Sequence, residues 1–307
     1  MISAYNVAIG VQQRQYPYEA VIRSGLDIAD EFCIAYDRRF DNPEIFTAID
    51  SRVRPIEVEI DFLKWDFICE VLTTARRECK GNWCLYLEMD EVLHEKDTDT
   101  ILKAVEVAEV NGHEAVNIKY LDMYQNYVIP RFFFDKGNYR QKITINLPSI
   151  YHKTCDYMIE RMDSPVWDGK FIKSGYDDVA YYDERTNRWF RDSIVFFPND
   201  HYRNPKMPIQ EDIEYNTNNC TYVWHYANYN HSRKMGQWRQ NKIWQDRVYG
   251  RTNELDAKML EELLKEHVVI DTIEAQRGIE EVIARGAMTV NLNHPKYVSD
   301  WLVNMTL

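Results

Sequence analysis

The first 95 residues alternate two patterns, and that alternation leaves few folds open. Residues 2–9 (ISAYNVAI) form a mostly apolar run of strand length. Residues 17–30 (PYEAVIRSGLDIAD) suit a helix that starts at Pro17. The run Glu31–Tyr36 (EFCIAY) reads as a short apolar strand ending at Asp37, and residues 54–58 read as another. Residues 60–79 place Phe62, Trp65, Ile68, Cys69 and Leu72 at helical spacing, and Gly81 closes that helix. Residues 83–87 (WCLYL) are a buried strand, followed at once by Glu88, Met89, Asp90 and Glu91. Strand and helix in this order predict a parallel sheet covered by helices. Such sheets bind ligands beyond the C-terminal ends of their strands. Two acidic stretches fall there: Asp37, and the group Glu88, Asp90 and Glu91.

The pattern changes further along. Residues 114–151 read as strands and aromatic turns, a mixed and partly antiparallel extension of the sheet. Residues 156–200, rich in Asp, Gly, Tyr and Trp, read as loops around a site. Residues 231–249 and 253–285 have a helical pattern, and a short last helix is expected near Trp301. The expected organisation is a catalytic domain over 1–230 with a helical C-terminal extension, 231–307, packed on it.

Charge and cysteine usage narrow the classes. Lys and Arg total 37 against 49 acids, a net charge of −12, which argues against a surface that binds phosphate everywhere. A local basic patch remains: residues 231–251 hold six Arg or Lys and one Asp. The six cysteines form no Cys-x-x-Cys pair and read as reduced core residues. No stretch approaches the roughly 20 apolar residues that span a bilayer, and the first residues show no secretory pattern. The expected location is therefore the cytoplasm.

Paired carboxylates at a strand end can hold a hard divalent cation, Mn²⁺ or Mg²⁺, which in turn binds phosphate oxygens. Glu88 and Asp90, two apart, point the same way near the strand end. Glu91 then faces elsewhere and can orient the loop or touch a substrate. His225, between Trp224 and Tyr226, is a third candidate ligand. The same residues have plainer uses, because acids after a strand also cap helices and a histidine among aromatics is often core. For a general base, Asp177 and Asp178 stand out in the loop-rich region, with Asp156, Asp163, Asp168 and Asp183 competing.

Taken together, these segments resemble family-2-like glycosyltransferases of bacteria and phages, which have a GT-A fold. The matching residues are Tyr16 to Ser24, Asp30-Glu31-Phe32, Lys64-Trp65-Asp66-Phe67, the run Gly81 to Glu95, and Trp224-His225-Tyr226 followed by Lys234-Met235. The resemblance implies a Rossmann-like, mostly parallel mixed sheet flanked by helices. It also implies a nucleotide-sugar donor, usually a UDP-sugar, a divalent metal, and inverting transfer of a hexosyl or pentosyl group. Asp90 falls on the last acid of the family's Asp-x-Asp-like motif, whose first acid is here Glu88. His225 matches a late histidine that completes the metal site, and Asp37 lies where relatives touch the base or ribose. Arg76 lies on the helix that faces the donor; an Arg fork there pairs with phosphate, or is simply an exposed helix charge. One departure is the run Asp37 to Asp41 (DRRFD), which replaces an expected Gly-Ser-rich turn.

The acceptor has two readings. Many relatives act on cell-envelope saccharides. The basic stretch suggests hydroxymethylcytosine in phage DNA, reached in the host cytoplasm, with Arg233, Lys234, Arg239, Lys242, Arg247 and Arg251 tracking phosphates and Trp238, Trp244 and Tyr249 stacking on bases. The plain alternative is an amphipathic helix with a solvated basic face. Two other functions compete: a nucleotidyltransferase, disfavoured by the single glycine in Ile9 to Arg14, and a non-catalytic nucleotide-sugar-binding protein.

Overall fold

The structure is a computed structural model describing residues 1–62, 64, 67–125, 127–128, 139–148, 150–154, 158–161, 172–173, 179–180, 182–183, 188–189, 194–196, 209–230, 232–236, 265 and 271–305. The strands are β1 (Ile2–Ala8), β2 (Glu31–Tyr36), β3 (Val53–Glu57), β4 (Trp83–Tyr86), β5 (Glu91–Leu93), β6 (Ala115–Asp122), β7 (Tyr127–Val128), β8 (Tyr139–Ile145) and β9 (Ile150–Thr154). Then come β10 (Met158–Arg161), β11 (Ile172–Lys173), β12 (Val179–Ala180), β13 (Tyr182–Asp183), β14 (Arg188–Trp189), β15 (Ile194–Phe196), β16 (Val223–His225) and β17 (Met288–Thr289). The helices are α1 (Tyr18–Leu26), α2 (Glu44–Thr47), α3 (Phe67–Arg77), α4 (Thr98–Val110), α5 (Gln210–Asn219), α6 (Thr272–Ala284) and α7 (Ser299–Met305).

The main sheet runs β3-β2-β1-β4-β8-β6-β16-β5, with β15 also on β6. Its first four strands are parallel. Strand β8 is antiparallel to both β4 and β6, so the sheet is mixed α/β and mostly parallel, as the pattern predicts. Both faces of the parallel half are covered, which is why its strands read as nearly continuous apolar runs. Alternate residues go to opposite layers. Ala4, Phe32, Ile34 and Leu85 join the core under α1, while Tyr5, Cys33, Ala35, Cys84 and Tyr86 join the one under α3.

The N-terminal ends of the parallel strands are stitched by one polar network. Ser3 Oγ donates to Glu31 Oε1 (2.7 Å) and accepts from Gly81 N (2.7 Å). Arg54 Nη1 donates to Glu31 Oε2 at 2.8 Å. Gly81 is required by this approach: a Cβ there would lie 2.7 Å from Ser3 N. Helix α3 starts later than its periodicity predicts. Ile60 N donates to Asp37 Oδ2 at 2.8 Å, and the Phe62 ring packs 5.1 Å from Phe40, so residues 60–62 are tied to the end of β2.

At the C-terminal end of the chain, β17 pairs with β7, and Trp301 Nε1 donates to Gln15 O at 2.9 Å. Of the two helical runs expected after residue 230, the described parts are a turn at 232–236, Lys265 and α6. No helix among the described residues is long and apolar enough to cross a membrane.

The antiparallel half is pinned by a buried ion pair. Lys142 Nζ donates to Glu91 Oε2 at 2.6 Å and to Oε1 at 2.8 Å, with both side chains at most 1% exposed. The ammonium also sits 4.6 Å from the Tyr86 ring centre and 4.8 Å from that of Tyr120. Removing one partner of a buried pair strands the other charge. Lys142→Met is therefore expected to lower unfolding free energy by about 3–5 kcal/mol in urea denaturation, with Lys142→Met/Glu91→Gln recovering part of the loss. An unchanged midpoint in the single variant would contradict this.

Candidate metal centre

The site forms where β16 inserts between β6 and β5. His225 is paired in register with Asp122 on one side and with Glu91 on the other. Three segments far apart in sequence thus end side by side. The loop after β4 is closed by two bonds: Glu91 N donates to Glu88 O (3.0 Å), and Glu88 N donates to Glu91 Oε2 (2.8 Å). Tyr226 N then donates to Asp90 O at 2.7 Å, fastening the loop to the end of β16.

This arrangement brings Glu88, Asp90 and His225 together, with one ligand atom from each lying within 4.8 Å of the others. His225 Nε2 lies 3.8 Å from Asp90 Oδ1. Its Nδ1 donates to Asp122 Oδ1 at 2.5 Å, which turns Nε2 toward the carboxylates; loss of the Nε2 proton would free its lone pair for an ion. Ligands around a Mg²⁺-sized ion, bonded at about 2.1 Å, lie roughly 3–4 Å from one another, so small side-chain shifts suffice to close on one. Two carboxylate oxygens and an imidazole nitrogen suit Mn²⁺ or Mg²⁺, the imidazole favouring Mn²⁺.

The electrostatics also favour a cation. Burial pushes the Glu88 carboxyl up to about 8, and the negative charges of Glu91 and Asp90 push the same way. Burial alone would lower the His225 imidazole, but the hydrogen bond to Asp122 and the charges of Asp122, Asp90 and Glu91 outweigh it and raise it to about 9. The crowded acids thus hold protons where a divalent ion would remove the need for them.

The other sequence-derived candidates fall in different places. Glu91 is fully buried, its carboxylate taken by Lys142 and the Glu88 amide. Asp37 is also buried, at the end of β2. Burial works against its charge, but bonds from the Arg39 side chain, Ile60 N and Arg39 N outweigh that and hold its carboxyl below the usual range. Arg76 is not brought to the carboxylates. It points inward at the N-terminal end of β4, where Nη2 donates to Ile145 O (2.5 Å), opposite Trp83. Nor does Arg233 lie on a solvated face: it is fully buried, while Lys234 is half-buried. Asp177, Asp178, Arg239 and Lys242 lie outside the described residues, as do Asp156, Asp163, Asp168, Trp238, Trp244, Arg247, Tyr249 and Arg251.

Two participants were not among the candidates. Asp122 closes the apolar run of β6, and an acid ending a buried strand was the available signal. Asp41 orders the loop after β1, accepting from Gly10 N (2.6 Å) and Val11 N (2.9 Å). Gly10 takes a positive φ of 62° there.

No family model matches the chain, and no curated protein does. Among solved structures, it is similar to S. aureus TarS 1-349 in complex with UDP-GlcNAc, at 13% identity over 47% of this chain and 45% of that one, with a TM-score of 0.32. It is also similar to the galactosyltransferase LgtC in complex with donor and acceptor sugar analogues, at 10% identity over 84% of this chain and 98% of that one, TM-score 0.32. A third is the glycosyltransferase GlyE of Streptococcus pneumoniae TIGR4, at 14% identity over 47% and 34%, TM-score 0.26. The chain spans about half the length of the TarS fragment it matches, and all of these likenesses are distant.

The raised groups set a pH dependence. A group whose folded pKa is above its unfolded value stabilises the fold fully below the unfolded value, and that stability is lost as pH rises through the folded one. For Glu88 the window runs from about 4.5 to about 8. In EDTA, the melting temperature of the protein minus that of Glu88→Gln is therefore expected to fall as pH rises across this window, and Mn²⁺ should reverse the fall. A difference that grows with pH in EDTA would contradict the assignment.

Proposed function

We propose that the protein transfers a sugar from a nucleotide-sugar, a UDP-sugar, to an acceptor hydroxyl, with a divalent cation held by Glu88, Asp90 and His225. The observation that carries this is the convergence of those three ligands from two distant segments, within 4.8 Å, at the C-terminal edge of the parallel strands. The strand order 3-2-1-4 puts that edge beside the β1/β4 crevice, a place where doubly wound sheets take nucleotides. That a sugar is transferred rests on the resemblance of the run from Gly81 to Glu95 and of Trp224-His225-Tyr226 to family-2-like glycosyltransferases of GT-A fold.

The chemistry is one displacement at the anomeric carbon. The acceptor oxygen forms the new C–O bond as the bond to the phosphate oxygen breaks, and that oxygen keeps the electron pair. The acceptor proton passes to a carboxylate, for which Asp177 and Asp178 are the candidates. The configuration inverts. When bound, the cation supplies positive charge against the departing diphosphate. Asp122 fixes the His225 ring, and Glu91 holds the loop that presents Glu88 and Asp90. Residues 1–230 form the catalytic unit in this reading, with 231–307 a helical extension packed on it.

The acceptor is a saccharide or a hydroxymethylated base in DNA. Burial of Arg233 leaves the DNA reading with Lys234, Arg239, Lys242, Arg247 and Arg251 as its basic contacts.

A donor screen tests the proposal. Incubation with Mn²⁺ and a panel of UDP-, GDP- and dTDP-sugars should release nucleotide from one UDP-sugar, and Asp90→Asn should cut that release at least 100-fold, or about 3 kcal/mol of transition-state stabilisation. No turnover of any donor, or full activity in Asp90→Asn, would overturn it.

A further inference from the structure

Arg233 is a fully buried cation with unused hydrogen-bonding capacity. Its Nη2 donates to two carbonyls, Tyr226 O at 2.9 Å and Ala227 O at 3.1 Å. Its Nε and Nη1 meet no acceptor among the described residues. The guanidinium is flanked by aromatic faces, 5.4 Å from the Tyr16 ring centre and 5.8 Å from that of Trp301. Among the described residues it has no carboxylate in salt-bridge contact; the acid that acts on it through space is Asp90. A buried guanidinium with idle N–H groups is costly unless something supplies oxygens.

Its position says what that is. One residue links it to the carboxylate loop: Tyr226 N donates to Asp90 O, and Tyr226 O accepts from Arg233. The Tyr16 phenol beside it feels the charges of Asp90, Arg14 and Arg233 together. Two arginines and the Asp90 carboxylate thus lie around the Tyr16 phenol. A planar guanidinium with free donors matches phosphate oxygens better than a lone ammonium does.

The geometry points to Arg233 as a binding residue for the diphosphate of the donor, its idle N–H groups taking phosphate oxygens on the side of the group away from the cation. This rests on the nucleotide-sugar reading above and adds a second, permanent positive charge to it. It also accounts for the burial of a residue that sits in a basic stretch of sequence. Because a guanidinium stays charged across the working range, this contribution does not vary with pH as the metal ligands do.

The test uses the full chain and four probes: Mn²⁺ alone, UDP with Mn²⁺, inorganic pyrophosphate with Mn²⁺, and uridine. Arg233→Met is expected to weaken UDP and pyrophosphate at least tenfold, while Mn²⁺ and uridine stay within twofold. Arg233→Lys, which keeps the charge but loses the fork, should weaken UDP about fivefold and carries the test if the methionine variant does not fold. With a donor in hand, the loss should fall on KM more than on kcat. Wild-type affinity for UDP in either folded variant would overturn the inference. If the wild type binds pyrophosphate through Arg233 but not UDP, the anion site stands and the nucleotide-sugar reading fails. If it binds neither, both fail.

Discussion

The insertion of β16 between β6 and β5 organises everything that bears on function. A strand of three residues, Val223–His225, takes parallel bonds from one neighbour and antiparallel bonds from the other. Register in such a strand is all or nothing: a slip of one residue would turn His225 to the opposite face. The correct register sets His225 against Asp122 and Glu91, and the hydrogen bond from Nδ1 to Asp122 fixes the ring. Without that pairing, Glu88 and Asp90 would be a solvated acidic loop, the plain alternative for such a motif.

Charge is balanced unevenly around this strand. Glu91 has its own cation in Lys142, also buried, and serves as a strut. Glu88 and Asp90 have no such partner in salt-bridge contact among the described residues, apart from the His225 ring at 3.8 Å. Arg233 stands near by with donors to spare. A chain with a net charge of −12 thus sets crowded acids apart from underused positive charge at one edge of its sheet. That separation suits a bound diphosphate–cation pair, whose two ends have opposite signs.

Much of the parallel half was legible, because its signal is local. Strand β2 falls on the run EFCIAY, and Pro17 marks the entry of α1. The start of α3 was not legible: Phe62 fits the helical period, yet the Ile60 amide is claimed by Asp37, a contact from another strand. Helix α4 was not among the expected elements, although Ile101, Val105 and Ala108 line one of its faces. At the site, Glu88, Asp90 and His225 could be named from residue type and position. Their mutual distance could not, since it depends on pairing between residues more than 100 apart in sequence. The inward turn of Arg233 was hidden for a related reason. Its neighbours in sequence are basic and polar, so a solvated face was the local reading, and only Tyr16 and Trp301 from distant segments reveal a buried one.

Pulsed EPR of Mn²⁺ bound with UDP shows directly whether a cation sits on an imidazole nitrogen between two carboxylates. One Mn²⁺ per chain, coupled to a single histidine nitrogen that disappears in His225→Gln, is the predicted result. A bound Mn²⁺ with no nitrogen coupling, or coupling that survives in His225→Gln, would contradict the account.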